Sequence, residues 1–312
     1  KILFFCSVSR LTIELLSAYN QTKFLGFLYF AYSFKIASSL RGPAPSIPRL
    51  ITFFPMLLST MKFDRIEKKD KGHEVKLTEV EEDEMLFFLH KLDSKWITNN
   101  LIPWMQYDVQ FKRFAHNLGR DNSGNAERNL NSFSFYREFC KRQIFLQKNK
   151  PILSKANPFV FRLDSLIKIF PDAKIVFIVR DPLETIPSYF SMQEKMKYGN
   201  MMTKQELKFY REETYKEIID WYKETEVAQD KLESKNFVVF TYQDLTENLE
   251  KTIKQFFTFS NQKMTKEFEK ILKKTISKKY VKKHQNKTVF DFGLSDKKIR
   301  RDFDFVYEKY FN

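Results

Sequence analysis

An α/β fold of three layers, a central parallel sheet flanked by helices, follows from three features of the sequence. From about residue 151 the chain repeats one grammar three times: a short apolar strand, a polar turn, an amphipathic helix. Strands alternating with helices build parallel sheets covered on both faces. The second of these strands, KIVFIV at Lys174–Val179, is continuously apolar after its lysine, as a strand buried on both faces is. Lys155, Arg180 and Tyr242 close the three strands, at the carboxyl ends where parallel sheets bind ligands.

Taken in order, residues 1–62 read as apolar helices broken at Gly42-Pro43-Ala44-Pro45 and Pro48, a helix-rich N-terminal part. It starts inside an apolar run, KILFF, with no initiating Met, and so reads as incomplete or processed. The window FLGFLYFAYS, Phe24–Ser33, is about ten residues long, short of the ~20 that span a bilayer. It predicts a buried helix, with membrane association as the other reading. Glu67–Lys76 is a charged connector, and Glu79–Lys91 predicts a helix, acidic first and then apolar at Met85, Leu86, Phe88 and Leu89. Residues 118–130 are a polar loop.

The first repeated unit is a strand at Pro151–Lys155, with Asn157-Pro158 opening a helix to Phe170. The second is Ala173–Arg180, with Asp181-Pro182 opening a helix to about Tyr198. Asn or Asp before Pro supplies a side-chain cap and then a residue with no N–H to satisfy. A long charged helix follows over 203–233. The third unit is Asn236–Tyr242 and a helix from about Thr246 to Phe257, with Asp244 and Glu247 at capping-box spacing.

The chain has 312 residues and is 43% hydrophobic, enough for one large core, and reads as a single domain over 1–312. Two cysteines, Cys6 and Cys140, make neither a disulfide framework nor a metal site, and His73, His90, His116 and His284 lack ligand spacing. No metal is expected. So few cysteines fit a cytoplasmic protein and a Golgi or membrane-associated one alike. Asn20-Gln21-Thr22 and Asn286-Lys287-Thr288 fit the glycosylation sequon, a common chance triplet. The net charge of +15 reads either as solubility with a lysine bias or, more sharply, as a match for an anionic ligand: nucleic acid, membrane surface or a phosphorylated cofactor. Nucleic acid is the weaker option, because the basic residues are spread rather than interleaved with aromatics along one groove. No G-x-x-x-x-G-K-[ST] occurs, which argues against a P-loop nucleotide kinase.

Arg180 and Ser188 form the sharpest constellation. With Asp181 as cap and Pro182 first in the helix, Ser188 lies about 9 Å up the axis at about 1.5 Å per residue. A guanidinium fork at the strand end and a hydroxyl on the next helix can grip one anion from two sides. Alone, such a pair reads equally as a surface ion pair beside a small helix contact; its surroundings favour the anion.

Those surroundings are LSKANPFVFRLDSLIKIFPDAKIVFIVRDPLETIPSYFS, which resembles the core of PAPS-dependent sulfotransferases, in the branch that diverges from the cytosolic aryl and steroid enzymes. SKANPFVFRL is similar to that branch's Lys-Asn-Pro strand and helix leading to an Arg. FPDAKIVFIVRDP with Ser188 is similar to its 3′-phosphate strand and helix. VVFTYQDLTENLEKTIKQFFTF is similar to its Tyr-Glu-Asp-Leu element, with Gln243 where Glu is usual. LTEVEEDEMLFFLHKLDSKW resembles its Glu-Asp-Glu helix, and HQNKTVFDFGLSDKKIRRDFDFVYEKY its C-terminal loop and last helix. The likeness covers most of residues 63–312.

The resemblance implies a P-loop NTPase-like sulfotransferase fold and sulfuryl transfer from 3′-phosphoadenosine 5′-phosphosulfate (PAPS) to a hydroxyl or amine on a small molecule, glycan or lipid. It implies that Arg180 and Ser188 hold the 3′-phosphate and Tyr242 lies near the adenosine. Lys155 would lie near the transfer centre or acceptor, although Ala156 interrupts the Lys-Asn-Pro spacing. Glu82, Asp83 and Glu84 become candidates for the base that takes the acceptor's proton, though acids also suit a helix's first turn. The basic run SKKYVKKHQNK, Ser277–Lys287, reads either as a lid over phosphates or as a solvated loop.

The family's glycine-containing loop for the 5′-phosphosulfate has no clear counterpart. The nearest is FFCSVSRLTIELL, Phe4–Leu16, which reads strand, polar turn, helix; Ser7, Ser9, Arg10 and Thr12 would be its donors. It lacks Gly, which hinders close backbone approach to phosphate. The loop is therefore degenerate at 7–12, upstream of the first residue, or lost. Beside a working enzyme stand two other readings: an inactive sulfotransferase-like protein that binds a nucleotide or a partner, and a basic nucleic-acid binder.

Overall fold

The structure, a computed structural model, describes residues 2–6, 88–89, 91–95, 97, 116–121, 126–146, 151–195, 203–277 and 287–311. The chain divides into two compact units, Lys1–Leu16 with Glu82–Asn312, and Ser17–Glu81; the latter lies wholly outside the described residues. The helices expected between residues 7 and 62, the apolar window Phe24–Ser33 and the connector at 67–76 therefore lie outside them too.

Four parallel strands form the sheet: β1 (Ile2–Cys6), β2 (Ile152–Lys155), β3 (Lys174–Val179) and β4 (Phe237–Thr241), in the order β2-β1-β3-β4. The opening KILFF run is thus a strand, as the reading of Phe4–Leu16 as strand, turn and helix has it rather than the all-helical reading of 1–62, and it sits inside the sheet. Its neighbours explain this. An apolar pentapeptide flanked by two parallel strands satisfies its backbone groups on both edges, which a lone helical turn cannot do. Ile175, Val176, Phe177 and Val179 on β3 are all buried, as the unbroken apolar run predicts.

The strand order has a consequence for binding. The chain that leaves β1 goes on to β2 on one side, while the chain that leaves β3 goes on to β4 on the other. The crevice between the carboxyl ends of β1 and β3 is therefore the point where connections diverge, the place where open α/β sheets take their ligands. Cys6 pairs with Phe177 and Phe5 with Lys155, so the exits of β1, β2 and β3 lie side by side.

Helix α1 spans Ala126–Leu146 and begins within the stretch expected to be a polar loop. After β2 comes a 3-10 turn, Asn157–Arg162, and α2, Leu163–Ile169. Asn157 is not the expected cap: Ala156 holds the N-cap position and makes no side-chain bond. Asp181 is a cap. Its Oδ1 accepts from the Leu183 N–H at 2.8 Å, and α3, Pro182–Lys195, starts on it. Helix α4, Lys204–Lys231, opens on a reciprocal box in which Glu206 N–H donates to Thr203 Oγ1 at 3.2 Å and Thr203 N–H to Glu206 Oε2 at 2.7 Å.

The third unit corrects one expectation. The helix starts at Tyr242, not Thr246, and it is two helices, α5 (Tyr242–Glu247) and α6 (Leu249–Ser260). Asp244 boxes with Thr241 behind it, donating its N–H to Thr241 Oγ1 at 3.0 Å while its Oδ2 accepts the Thr241 N–H at 2.9 Å. With that carboxylate engaged, Glu247 accepts from the Gln243 side chain instead, at 3.1 Å. Helices α7 (Lys266–Ser277), α8 (Asp296–Asp302) and α9 (Asp304–Tyr310) complete the chain, with a 3-10 turn at Val289–Phe292.

One part of the core matters most for the site. Val179 of β3 and Ile186 and Phe190 of α3 pack with Tyr215 and Ile218 of α4 and with Ile299, Phe303, Val306 and Tyr307 from the C-terminal helices. Fully burying such a side chain contributes ~1.5–3 kcal/mol, so the last 17 residues hold α3 in place rather than trailing from the fold. Among the described residues, no helix is long and apolar enough to cross a membrane.

Candidate active site

Arg180 is the first residue past β3. Val179 pairs with Thr241, so Tyr242 stands beside Arg180 as the first residue past β4. The Arg180 guanidinium lies over the Tyr242 ring, 4.8 Å from its centroid. The other strand-end cation, Lys155, sits two strands away across β1, at the level of Phe5. The fold thus brings three of the predicted residues to one end of the sheet.

Arg180 also bonds Glu184, in the first turn of α3, through Nε and Nη2, both at 3.0 Å from Oε2. This is the surface ion pair that the plain reading of Arg180 calls for, but it lies on the same helix and at the same end of the sheet. Glu184 is 42% exposed, and an i,i+4 pair of this kind is worth only ~0.3–0.5 kcal/mol. A charge-assisted bond to an anion is worth ~1.5–3 kcal/mol, more than this exposed pair, so the pair does not block Arg180 from an anionic ligand. Ser188 lies two turns along α3, half-buried.

Behind Arg180 the backbone is held by tyrosines. The Tyr222 hydroxyl, on α4, donates to the Arg180 carbonyl at 2.6 Å and lies 3.0 Å from Thr185 Oγ1. Tyr307, on α9, donates to Asp181 Oδ1 at 2.6 Å. Burial pushes both phenols' pKa values up, and for Tyr307 the bond to Asp181 adds to the shift. Both are neutral donors at ordinary pH. Sequence reasoning passed over these tyrosines; nothing local marks them, because their partners are 42 and 126 residues away.

A second polar centre lies under the turn that follows Lys155. Arg162, wholly buried, donates from Nη2 to Asp93 Oδ2 at 2.5 Å and Asn129 Oδ1 at 2.7 Å, and from Nη1 to the Asp93 carbonyl at 3.0 Å. Ser132 donates to the same Asp93 oxygen at 2.7 Å, and Phe88 and Phe133 face the guanidinium at 4.5 and 4.8 Å. This centre ties the segment that follows Glu82, Asp83 and Glu84 to the element that carries Lys155.

The three acids lie outside the described residues, as do Ser9, Arg10 and Thr12 and residues 278–286 of the basic run. His116 is exposed, and partial desolvation followed by Arg120 and Lys95 lowers its pKa; it belongs to a charged patch beside α4 with Asp220 and Glu217. Lys287, which ends the basic run, bonds Glu194 of α3 at 2.6 Å. Cys140 is buried. Among the described residues no cluster could hold a metal ion. A hollow of about 420 Å³ runs along β4 and α6, lined by Val238, Phe240, Asn248 and Lys251 among others, and none of the predicted site residues lines it.

A model of the sulfotransferase family matches residues 60–265. The omega-hydroxy-beta-dihydromenaquinone-9 sulfotransferases Stf3 of Mycobacterium bovis and Mycobacterium tuberculosis are each 21% identical over 114 residues, 36% of this chain and 29% of theirs. The match thus spans less than a third of those relatives. The fold is similar to crystal structures of the sulfotransferases STF1 from Mycobacterium tuberculosis and STF9 from Mycobacterium avium. The first has a TM-score of 0.62 at 17% identity, over 97% of this chain and 76% of that one. The second has 0.63 at 14% identity, over 99% and 76%. The family model alone covers about two thirds of the sequence, and the chain belongs to the sulfotransferase family.

Proposed function

We propose that the chain transfers a sulfuryl group from PAPS to a hydroxyl or amine on a small-molecule or lipid acceptor. The observation that supports this best is the placement of Arg180, over Tyr242 and beside the exit of β1, at the crevice where the sheet's connections diverge. The donor set suits the ligand: a guanidinium and the Ser188 hydroxyl for a 3′-phosphate, an aromatic face for a nucleoside, and a lysine two strands away. PAPS supplies the activated sulfuryl group. The acceptor oxygen or nitrogen forms the new bond to sulfur, the bond from sulfur to the 5′-phosphate breaks, and the acceptor's proton passes to a base. Among Glu82, Asp83 and Glu84, the one nearest the acceptor is that base. Lys155 offsets charge on the bridging oxygen, and the sequence after Cys6 supplies the 5′-side donors Ser9, Arg10 and Thr12. Positioning and charge stabilisation carry such a reaction, as in phosphoryl transfer.

The curated relatives are named for a hydroxylated menaquinone, so a lipid hydroxyl is the first acceptor to try. Thermal shift with adenosine 3′,5′-bisphosphate, ATP and single-stranded RNA tests the binding half. Stabilisation by the bisphosphate at submillimolar concentration, lost in Arg180→Ala, is expected. No shift in the wild type, or an undiminished one in Arg180→Ala, rejects the assignment. Labelled-sulfate transfer from PAPS to sugars, phenols and lipid alcohols then separates a working enzyme from a relative that only binds.

A further inference from the structure

Arg180 and Asp181 form the hinge between β3 and α3, and each is held by a tyrosine from a distant helix. The helix ladder begins one residue later: the Glu184 and Thr185 N–H groups both donate to the Asp181 carbonyl at 2.9 Å. The Arg180 carbonyl therefore takes its donor from elsewhere, and the Tyr222 hydroxyl provides it at 2.6 Å. A phenol has one proton, and only the hydroxyl of the Tyr222–Thr185 pair can donate back. The Tyr222 proton thus goes to the carbonyl, and Thr185 donates to the Tyr222 oxygen across 3.0 Å. Tyr307 fixes the next residue through its 2.6 Å bond to Asp181 Oδ1, the same oxygen that takes the Leu183 N–H.

The tyrosines are themselves rigid. Tyr222 packs edge-on against Phe303, 5.4 Å between centroids, and Phe303 has no exposed surface. Tyr307 is 7% exposed, and Arg300 lies over its ring at 4.8 Å. The peptide from which the Arg180 side chain springs is thus clamped from two sides by rings that cannot move independently of the C-terminal helices. A long side chain magnifies any rotation of its own peptide at the guanidinium, where small errors of position are costly.

We propose that Tyr222 and Tyr307 are positioning residues that set the preference for a nucleotide carrying a 3′-phosphate, by fixing the backbone of Arg180 and Asp181. The proposal rests on the reading of Arg180 as the 3′-phosphate ligand. It is tested by calorimetric titration of the full chain with adenosine 3′,5′-bisphosphate and adenosine 5′-phosphate. The wild type is expected to prefer the bisphosphate by ~10-fold or more, the value of one charge-assisted bond. Tyr222→Phe and Tyr307→Phe each remove about 3-fold or more of that preference, chiefly by weakening the bisphosphate, with the 5′-phosphate affinity held.

Tyr310→Phe is the control. It deletes a similar phenol bond, to Gln229 Oε1 at 2.9 Å, on the same last helix but away from Arg180 and Asp181, and it leaves the preference intact. Equal losses for both nucleotides, or a full preference in both tyrosine variants, overturn the inference while leaving the proposed function standing. A wild type with no preference overturns the sulfotransferase assignment of Arg180 and this inference together. If Tyr222→Phe proves too unstable to titrate, Tyr307→Phe decides by the same criterion.

Discussion

Arg162 and Asp93 show how much depends on single side chains inside this fold. Both have no exposed surface, and the pair is completed by Asn129, Ser132 and two phenylalanine faces. Two charges so deeply placed gain little over an apolar pair of the same volume, but removing one strands the other. Arg162→Met is expected to cost ~3–5 kcal/mol in urea unfolding, since it leaves the buried Asp93 carboxylate with the Ser132 hydroxyl and, 3.6 Å away, the partly exposed Arg128. The double variant Arg162→Met/Asp93→Leu recovers most of that loss. A double variant no better than the single would mean the network supplies net stability of its own. Arg180 has the opposite character. It ends a strand with a weak, half-exposed partner, Glu184, and the role proposed for it needs a partner that can be exchanged.

The helices that follow the strands are set by short-range bonds, and these carry separable energies. Thr241 and Asp244 exchange two bonds at the entry to α5, and that box orients the turn that presents Tyr242. Thr241→Ala is expected to lower stability by ~1 kcal/mol, the usual worth of a hydroxyl cap, as read from the urea midpoint. The same variant weakens the bisphosphate modestly, because Arg180 loses a fixed ring beneath it. A stability loss under a few tenths of a kcal/mol would show that the Asp244 carboxylate alone holds the turn. Helix α3 is better secured: it is capped by Asp181, buttressed by Tyr307, and covered by α4 and the C-terminal helices.

Taken together, the carboxyl end of the sheet depends on the chain's last residues as much as on the strands. Deleting residues 296–312 removes Ile299, Phe303, Val306 and Tyr307, each under a tenth exposed. Their burial is worth ~1.5–3 kcal/mol apiece, comparable in sum to the whole ~5–15 kcal/mol of a domain's net stability. The shortened chain is expected to lose its cooperative melt and its near-ultraviolet circular dichroism. A shortened chain that still melts cooperatively and still binds the bisphosphate would show that α8 and α9 are accessory.

Local pattern carried much of this protein. The strands read at 151–155, 173–180 and 236–242 are β2, β3 and β4 to within a residue or so at each end, and α3 opens at Asp181-Pro182 as that pattern predicts; Arg180 and Tyr242 stood at strand ends because hydrophobic runs stop where a sheet meets solvent. The helix of the third unit was misplaced by four residues because Asp244 has box spacing both to Thr241 before it and to Glu247 after it, and it boxes with Thr241. The strand order was not legible, since Leu3 and Lys174, opposite each other in the register of β1 and β3, are too far apart in sequence for any periodicity to report. Nor were the partners of Arg180. Which tyrosine of fourteen reaches a given carbonyl depends on how α4 and α9 pack over α3, and packing is decided by the shapes of side chains meeting from separate parts of the chain.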